Sequence, residues 1–225
     1  MIEHTIMIPS RGRASSLIVA VNVMKALAAA PQQYLIAIDE DDQETSANSV
    51  EMCTGIKPMV LPGTLDLREK YAAMEAKAEG EMLWYWSDDV FMKTSAWNQI
   101  ATDIWAKHND KKFICSVKDD MWNGQMALNT PPGPFFLTRG WIDAVGYTLP
   151  PGFRYQAMDL WLWDIGRRCN RRVYAGNING HHAHNHRAKD KTDARAAVDF
   201  DIGVGQYLKR ESERQEAAER LGVVA

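Results

Sequence analysis

Residues 84–90 read WYWSDDV, and two adjacent aspartates, Asp88 and Asp89, follow the aromatic run directly. The segment EMLWYW (81–86) has the composition of a buried strand. Two carboxylates at the end of such a strand repel each other and lose hydration, so we expect a positive charge beside them. From the pair alone, a solvated turn after the strand is an equally good interpretation.

Strands and helices alternate on both sides of this stretch. Apolar runs that predict strands lie at residues 4–10, 34–39, 81–86 and 112–117. Segments of helix-forming composition lie at residues 15–30, 65–80, 94–108, 158–170 and 205–222, the first with a serine as its expected cap. Alternation up to residue 117 predicts βαβ units, and so an α/β fold with a mostly parallel central sheet flanked by helices.

Composition excludes several classes of protein. Three widely separated cysteines without a CxxC motif indicate reduced thiols that fill the core of a cytoplasmic protein. Apolar runs are too short for a membrane span, and the N-terminus lacks the pattern of a signal peptide. The net charge of −3 argues against a strongly basic nucleic-acid binder. Basic residues nevertheless concentrate at 167–172 and 186–195, where a polyanion can approach.

Polar clusters follow three of the predicted strands, at residues 9–13 (PSRGR), 39–42 (DEDD) and 87–89 (SDD). Ligands of open parallel sheets bind beyond the carboxyl ends of the strands, so we expect the three clusters to meet at one edge. Arg11 and Arg13 together with several carboxylates suit a phosphate-bearing ligand and a divalent cation. Taken alone, DEDD is more simply a flexible acidic loop.

Four of the six histidines lie in the segment GHHAHNH (180–186), namely His181, His182, His184 and His186. In an extended chain, residues two apart face the same side, so the last three can converge. Because imidazole is the commonest nitrogen ligand of transition metals, we expect at least one of them to bind a metal ion. The alternative is a surface loop whose histidines only form hydrogen bonds.

Two other acidic positions are candidates for a functional role. Asp159 begins the predicted helix at 158–170, where it either caps the helix or acts as a general base aimed into the cleft. Asp164, further along that helix, is expected to pair with the arginines that follow it. The sequence KDD at 118–120 again places paired acids after a strand, and it either lines the acceptor side or forms a turn.

The order of these features resembles that of the GT-A glycosyltransferases, enzymes with a Rossmann-like fold, an acidic metal-binding motif, a catalytic carboxylate and a late metal-binding histidine. The segments similar to that family's motifs are IMIPSRGR (6–13), IAIDEDD (36–42), WYWSDDVFMKTSAWNQI (84–100), FFLTRGWIDAVGY (135–147), YQAMDLWLWDIGRR (155–168) and HHAHNHRAKDKTD (181–193). The chain departs from the family pattern at Ser87, which stands where a D-x-D motif has its first acid.

The resemblance implies one GT-A domain over residues 1–225. Residues 1–117 would bind the nucleotide-sugar, residues 118–200 would carry the acceptor site and the base, and residues 201–225 would form a C-terminal helix. Asp159 would deprotonate the acceptor hydroxyl, with inversion at the anomeric carbon.

The same resemblance implies a donor site and a metal site. The donor would be bound by Pro9, Ser10, Arg11, Arg13, Asp39, Asp41 and Asp88. The metal ion, Mn²⁺ or Mg²⁺, would be bound by Asp89 and a histidine, with His184 preferred and His182 and His186 as alternatives.

These features together predict a metal-dependent glycosyltransferase that moves a sugar from a nucleotide-sugar to a hydroxyl acceptor. The basic stretches allow a DNA acceptor, such as a hydroxymethylated pyrimidine in phage DNA; the enzyme would then act in the host cytoplasm. The alternative enzyme class is a nucleotidyltransferase, which needs a glycine-rich loop where PSRGRASS (9–16) has a single glycine. The remaining alternative is a non-catalytic nucleotide- or metal-binding module, in which Asp159 only caps a helix.

Overall fold

A computed structural model describes residues 3–120, 133–154, 157–183 and 202–222. Its strands are β1 (His4–Ser10), β2 (Gln33–Asp39), β3 (Met59–Leu61), β4 (Met82–Tyr85), β5 (Val90–Met92), β6 (Ile114–Asp119), β7 (Phe135–Thr138) and β8 (Arg172–His182). Its helices are α1 (Ala14–Leu27), α2 (Ala47–Thr54), α3 (Leu67–Glu75), α4 (Trp97–Lys107), α5 (Arg139–Val145), α6 (Met158–Arg168) and α7 (Glu211–Leu221). The predicted ligands His184 and His186 and the basic stretch 186–195 lie outside the described residues.

All eight strands form one sheet in the order β3-β2-β1-β4-β7-β6-β8-β5. Four neighbouring pairs are parallel and three are antiparallel. Because β7 runs antiparallel to both β4 and β6, those two strands point the same way, and β8 follows β6. The carboxyl ends of β1, β2, β4, β6 and β8 therefore meet at one edge, which confirms the expected convergence.

The sheet is buried on both faces, as its continuous apolar strands predict. Alternate residues of each strand belong to two separate cores, because successive side chains of a strand point to opposite faces. In β1, Ile6 and Ile8 pack with α1 and α4, whereas Met7 packs with the side that holds α3, α5, α6 and α7. In β4, Trp84 and Tyr85 divide in the same way. The result is a three-layer α/β domain.

The predicted helices are present, with one error at a helix start and one break: a turn at Arg210 divides the helix expected at 205–222 into helical residues 202–209 and α7. The serine cap expected for the first helix is wrong: α1 begins at Ala14, and Arg13 at the N-cap position makes no side-chain capping bond. By contrast, α3 begins with a capping box, in which the Asp66 carboxylate accepts from the Glu69 backbone N–H and the Glu69 carboxylate accepts from that of Asp66, both at 2.8 Å.

Short or polar elements escaped the sequence analysis. The segments α2, β3, β5, β7 and α5 were not predicted, and neither was β8. Its sequence, RVYAGNINGHH, is polar and contains two glycines, but parallel pairing with β6 and antiparallel pairing with β5 satisfy its backbone. The expected core role of the cysteines holds for Cys115 and Cys169 but not for Cys53, which is exposed.

Candidate active site

Asp88 and Asp89 are both buried, so the solvated-turn interpretation is wrong. The expected positive charge is the guanidinium of Arg13, whose Nη1 lies 3.0 Å from Asp88 Oδ1 and 3.3 Å from Asp89 Oδ2. The Ser10 hydroxyl donates to Asp88 Oδ2 at 2.6 Å. The loop after β1 therefore neutralises the acidic pair that follows β4, and parallel pairing of the two strands brings these segments together.

Burial is the dominant influence on Asp88. It raises the pKa of this carboxyl, while the charge of Arg13 and the hydrogen bond from Ser10 lower it and the neighbouring Asp89 raises it, with a net upward shift. The Ser87 hydroxyl donates a short hydrogen bond to Asp89 Oδ1. At the position where a D-x-D motif has an acid, the chain thus has a hydroxyl donor that orients the following carboxylate.

The acidic cluster after β2 is not a flexible loop. Asp39 is buried, with Arg11 Nη1 and Lys70 Nζ each 2.5 Å from its carboxylate oxygens. Arg11 also binds the more exposed Asp41 through two hydrogen bonds of 2.7 and 2.8 Å. Pro9, at the end of β1, pairs with β2 and is half-buried. The predicted donor residues therefore form a continuous charged rim from β2 to β4.

A histidine reaches the acidic pair from the other side. His182, at the end of β8, has its Nε2 3.6 Å from Asp89 Oδ1 and its Nδ1 2.9 Å from Asp119 Oδ2. Burial lowers the pKa of His182, but the hydrogen bond to Asp119 and the charges of the neighbouring carboxylates outweigh it, so the pKa is raised. The neighbouring Asp120 accepts from the His182 backbone N–H at 3.0 Å and lies 2.6 Å from His181 Nδ1.

Asp119 is a candidate site residue whose place the sequence analysis left undecided. The KDD segment ends β6, which runs in the same direction as β4 and β8, so its acids arrive at the same edge as His182. The repeated pattern of a strand that ends in paired acids was the signal that marked it. A carboxylate behind a histidine fixes its ring orientation and tautomer.

The donor atoms of this cluster fit a hard divalent cation in part. Within the described residues, no three histidine, cysteine or acidic side chains form a ready metal site. Asp89 Oδ1 and His182 Nε2, 3.6 Å apart, are nevertheless close enough to share a cation that binds oxygen and nitrogen at roughly 2.0–2.6 Å. The carboxylate suits Mg²⁺ or Mn²⁺, and the imidazole is a ligand of transition-metal ions.

Asp159 lies in the first turn of α6 and lines a cavity of about 240 Å³, which Ser87 and His182 line as well. Its Oδ1 accepts from the Leu160 backbone N–H at 2.8 Å. Burial raises the pKa of this carboxyl, and the hydrogen bonds that lower it come from backbone N–H groups. Ala157, with a φ of 66°, turns the chain sharply into α6 just before it.

The arginines of the basic stretch at 167–172 form ion pairs within the protein. Asp164 is buried and accepts from Arg167, Arg168 and Arg214 at 2.7 to 3.0 Å, which confirms the pairing expected for it. Arg171 Nη1 lies 2.6 Å from Asp110 Oδ2. Much of the positive charge of this stretch is therefore already paired with carboxylates of the protein, and Arg168 also joins α6 to α7 through Glu211.

No model of a protein family matches the sequence, and no curated protein matches it. Several solved structures, however, are similar to this chain. A mannosyltransferase, PcManGT from Pyrobaculum calidifontis in complex with GDP-Man and Mn²⁺, is 11% identical and has a TM-score of 0.71, over 97% of this chain and 68% of that one. Glucosyl-3-phosphoglycerate synthase from Mycobacterium tuberculosis, in complex with Mn²⁺, UDP-glucose and phosphoglyceric acid, is 10% identical with a TM-score of 0.65, over 99% and 81% of the two chains.

TarS of S. aureus is also similar, at 10% identity and a TM-score of 0.60, and the match covers 80% of this chain but only 36% of TarS. At these identities the likeness establishes the fold. The chain therefore has the GT-A fold of nucleotide-sugar glycosyltransferases, with its central sheet and C-terminal helix, as the sequence predicted. Within the described residues, no helix has the length and hydrophobicity to cross a membrane.

Proposed function

We propose that the protein is a metal-dependent glycosyltransferase that moves a sugar from a nucleotide-sugar to a hydroxyl acceptor. The observation that carries the proposal is the arrangement around one cavity. Ser87 and His182 line it at the strand ends, and both contact Asp89, which Arg13 joins to Asp88. Asp159 lines the same cavity from α6. A cation-binding cluster and a separate carboxylate base are what sugar transfer from a diphosphate requires.

The residues at the strand ends would bind the donor. Ser10, Arg11, Arg13, Asp39, Asp41 and Asp88 form the rim proposed to hold the nucleoside and the diphosphate, next to Pro9. Asp89 and His182 would hold Mn²⁺ or Mg²⁺, with His184 and His186 as further candidate ligands. When bound, such a cation supplies positive charge that stabilises the leaving diphosphate. The GT-A fold and the Mn²⁺ in the complexes of the similar mannosyltransferase and synthase support this assignment.

Asp159 would act as the general base. Its carboxylate takes the proton of the acceptor hydroxyl, and the acceptor oxygen uses a lone pair to bond to the anomeric carbon. The bond from that carbon to the diphosphate oxygen breaks, and its electron pair leaves with the nucleoside diphosphate. Attack opposite the leaving group inverts the anomeric configuration. The raised pKa of Asp159 suits this role, because a base works best when its pKa approaches the operating pH.

A DNA acceptor, specifically a hydroxymethylated pyrimidine, is the finer form of the proposal. It now rests chiefly on the basic composition of 186–195, since ion pairs engage much of 167–172. Binding to duplex DNA that weakens steeply between 50 and 200 mM salt would support it. If binding to duplex DNA is absent, or does not depend on the salt concentration, DNA is excluded as the acceptor and the proposed sugar transfer is unaffected.

Two substitutions test the transferase assignment. We expect Asp89→Ala to abolish the rise in melting temperature that UDP-glucose or GDP-mannose produces with Mn²⁺, since a ligand of the native state stabilises it. Asp159→Asn should keep that rise but slow transfer by a factor of roughly 10² to 10⁴, the usual contribution of a general base. Asp143→Asn, an exposed carboxylate of α5, is the matched control and should change neither quantity.

Each competing class gives a different outcome. A nucleotidyltransferase would release pyrophosphate from a nucleoside triphosphate and a sugar phosphate, and its turnover would not require Asp159. A binding module would show the Mn²⁺-dependent rise in melting temperature with no turnover to lose. Unchanged sugar transfer in Asp159→Asn would contradict the proposed base.

A further inference from the structure

The cavity beside Asp159 is mostly apolar. Besides Asp159, its polar lining within the described residues is Ser87 and His182, both on the side of the acidic pair. The remaining walls include Leu67, Tyr71, Tyr85, Phe135, Leu149 and Met158. A sugar ring, with several hydroxyl groups, would leave most of them without partners against such walls. The cavity is therefore better suited to a carbon-rich part of a ligand.

The polar atoms of the aromatic lining are already used within the protein. The Tyr71 hydroxyl donates to the Trp86 carbonyl at 3.2 Å, and the Tyr85 hydroxyl donates to Glu75 Oε1 at 2.7 Å. Trp86 Nε1 donates to the Val90 carbonyl at 2.8 Å. What these side chains offer to a ligand is consequently ring carbon, which favours flat apolar groups.

The charge of the cavity argues against an anionic ligand. No lysine or arginine occurs among the described residues that line it, whereas Asp159 does. A carboxylate or phosphate placed next to Asp159 would lose hydration beside a like charge, and the positive charge proposed at His182 would lie on the side of the acidic pair. The size also fits a single ring: an apolar cavity of roughly 150 Å³ in another protein holds benzene, and this one is about 240 Å³.

We infer that the acceptor is an uncharged alcohol that carries a flat ring, with the ring against Tyr71, Tyr85 and Phe135 and the hydroxyl at Asp159. This inference rests on the proposed transferase function and narrows its acceptor to one chemical class. The transfer step is the one given above, with the proton passing to Asp159 and the diphosphate leaving. A neutral nucleobase with a hydroxymethyl group and a small aryl alcohol share this chemistry.

A matched pair of acceptors tests the inference. Benzyl alcohol and 4-(hydroxymethyl)benzoate have the same ring and hydroxyl, and only the second is anionic at pH 7.5. With Mn²⁺ and the nucleotide-sugar that stabilises the protein, we expect release of nucleoside diphosphate above donor hydrolysis to be at least tenfold faster with benzyl alcohol. Cyclohexylmethanol, which lacks the flat ring, should fall between the two.

A substitution in the cavity wall tests whether the preference for the neutral acceptor arises in this cavity. Leu67→Lys places an ammonium group in its wall, and we expect it to reduce the preference for benzyl alcohol over the benzoate at least threefold. Met52→Lys adds the same charge at a side chain that is 86% exposed on α2, and should leave the preference unchanged. If Leu67→Lys does not fold, the acceptor pair in the unaltered chain still decides the question.

The possible results distinguish failure of this inference from failure of the proposed transferase function. Donor binding and hydrolysis with equal or greater transfer to the benzoate, or with no transfer to any neutral ring alcohol, would overturn the acceptor class and leave a sugar transferase. Absence of donor binding would overturn both. The rate of transfer to 5-hydroxymethyl-2′-deoxycytidine is then compared with the rate of transfer to the same base in duplex DNA. This comparison shows whether the acceptor ring belongs to a small molecule or to DNA.

Discussion

Replacing Arg13 by methionine removes the cation that joins two buried carboxylates. Its guanidinium lies 3.0 Å from Asp88 and 3.3 Å from Asp89, and each aspartate is 3% exposed. Breaking a buried ion pair by removing one partner costs roughly 3–5 kcal/mol, because the other charge stays buried. For a domain of this size each kcal/mol lowers the melting temperature by roughly 2–4 °C. We therefore expect Arg13→Met to melt about 6–20 °C below the unaltered protein at pH 7.

The dependence on pH identifies the cause of that loss. Burial raises the pKa of Asp88 and Arg13 lowers it, so the substitution raises the pKa further. The folded variant then takes up a proton at a higher pH than the unfolded chain does, so its stability rises as the pH falls from 7 toward 5. Differential scanning fluorimetry across this range is the assay, with Arg220→Met, an exposed arginine of α7, as the control. A melting temperature within about 2 °C of the unaltered protein, with the same pH slope, would refute the reasoning.

Three further predictions follow from other contacts. Asp119→Asn alters the group that orients His182, so it should weaken Mn²⁺ binding roughly 10- to 100-fold, as measured by titration calorimetry. Unchanged affinity would contradict that role. Burial lowers the pKa of His4 from 6.5 to about 4, so folding opposes its protonation. Between pH 6.5 and pH 4 the free energy of unfolding, measured by urea titration, should therefore fall by up to about 3 kcal/mol more in the unaltered protein than in His4→Gln. An equal fall in both proteins would count against this. Asp164→Asn leaves the buried Arg214 without its carboxylate and should cost roughly 3–5 kcal/mol in the same titration, and a loss under 1 kcal/mol would show that the pair is dispensable.

Local sequence patterns predicted most of the fold. The strand expected at 4–10 is β1, and the helix expected at 94–108 contains α4. These segments succeed because their apolar residues repeat with the period of one kind of element. The segment that becomes β8 fails for the opposite reason: its glycines and polar residues give no period, and its conformation comes from hydrogen bonds to β6 and β5 on either side.

The candidate site was predicted in part. Chain order alone placed the acids of 39–42 and 87–89 at one sheet edge, since parallel strands end together. It did not reveal that Arg13, rather than Arg11, lies between Asp88 and Asp89, because loop geometry decides which of two nearby arginines turns inward. The roles of the predicted site residues stay proposals that the substitutions above are designed to test.

The amino-acid sequence by itself determined the alternation of strands and helices, the α/β class and the acidic character of the strand ends, because these depend on neighbours a few residues apart. Tertiary structure decided what lies opposite each acid. The pairing of His182 with Asp119 and Asp89 joins residues from three strands, and the apolar cavity in front of Asp159 is enclosed by side chains from distant parts of the chain. Such contacts depend on strand order and direction, which no local pattern encodes.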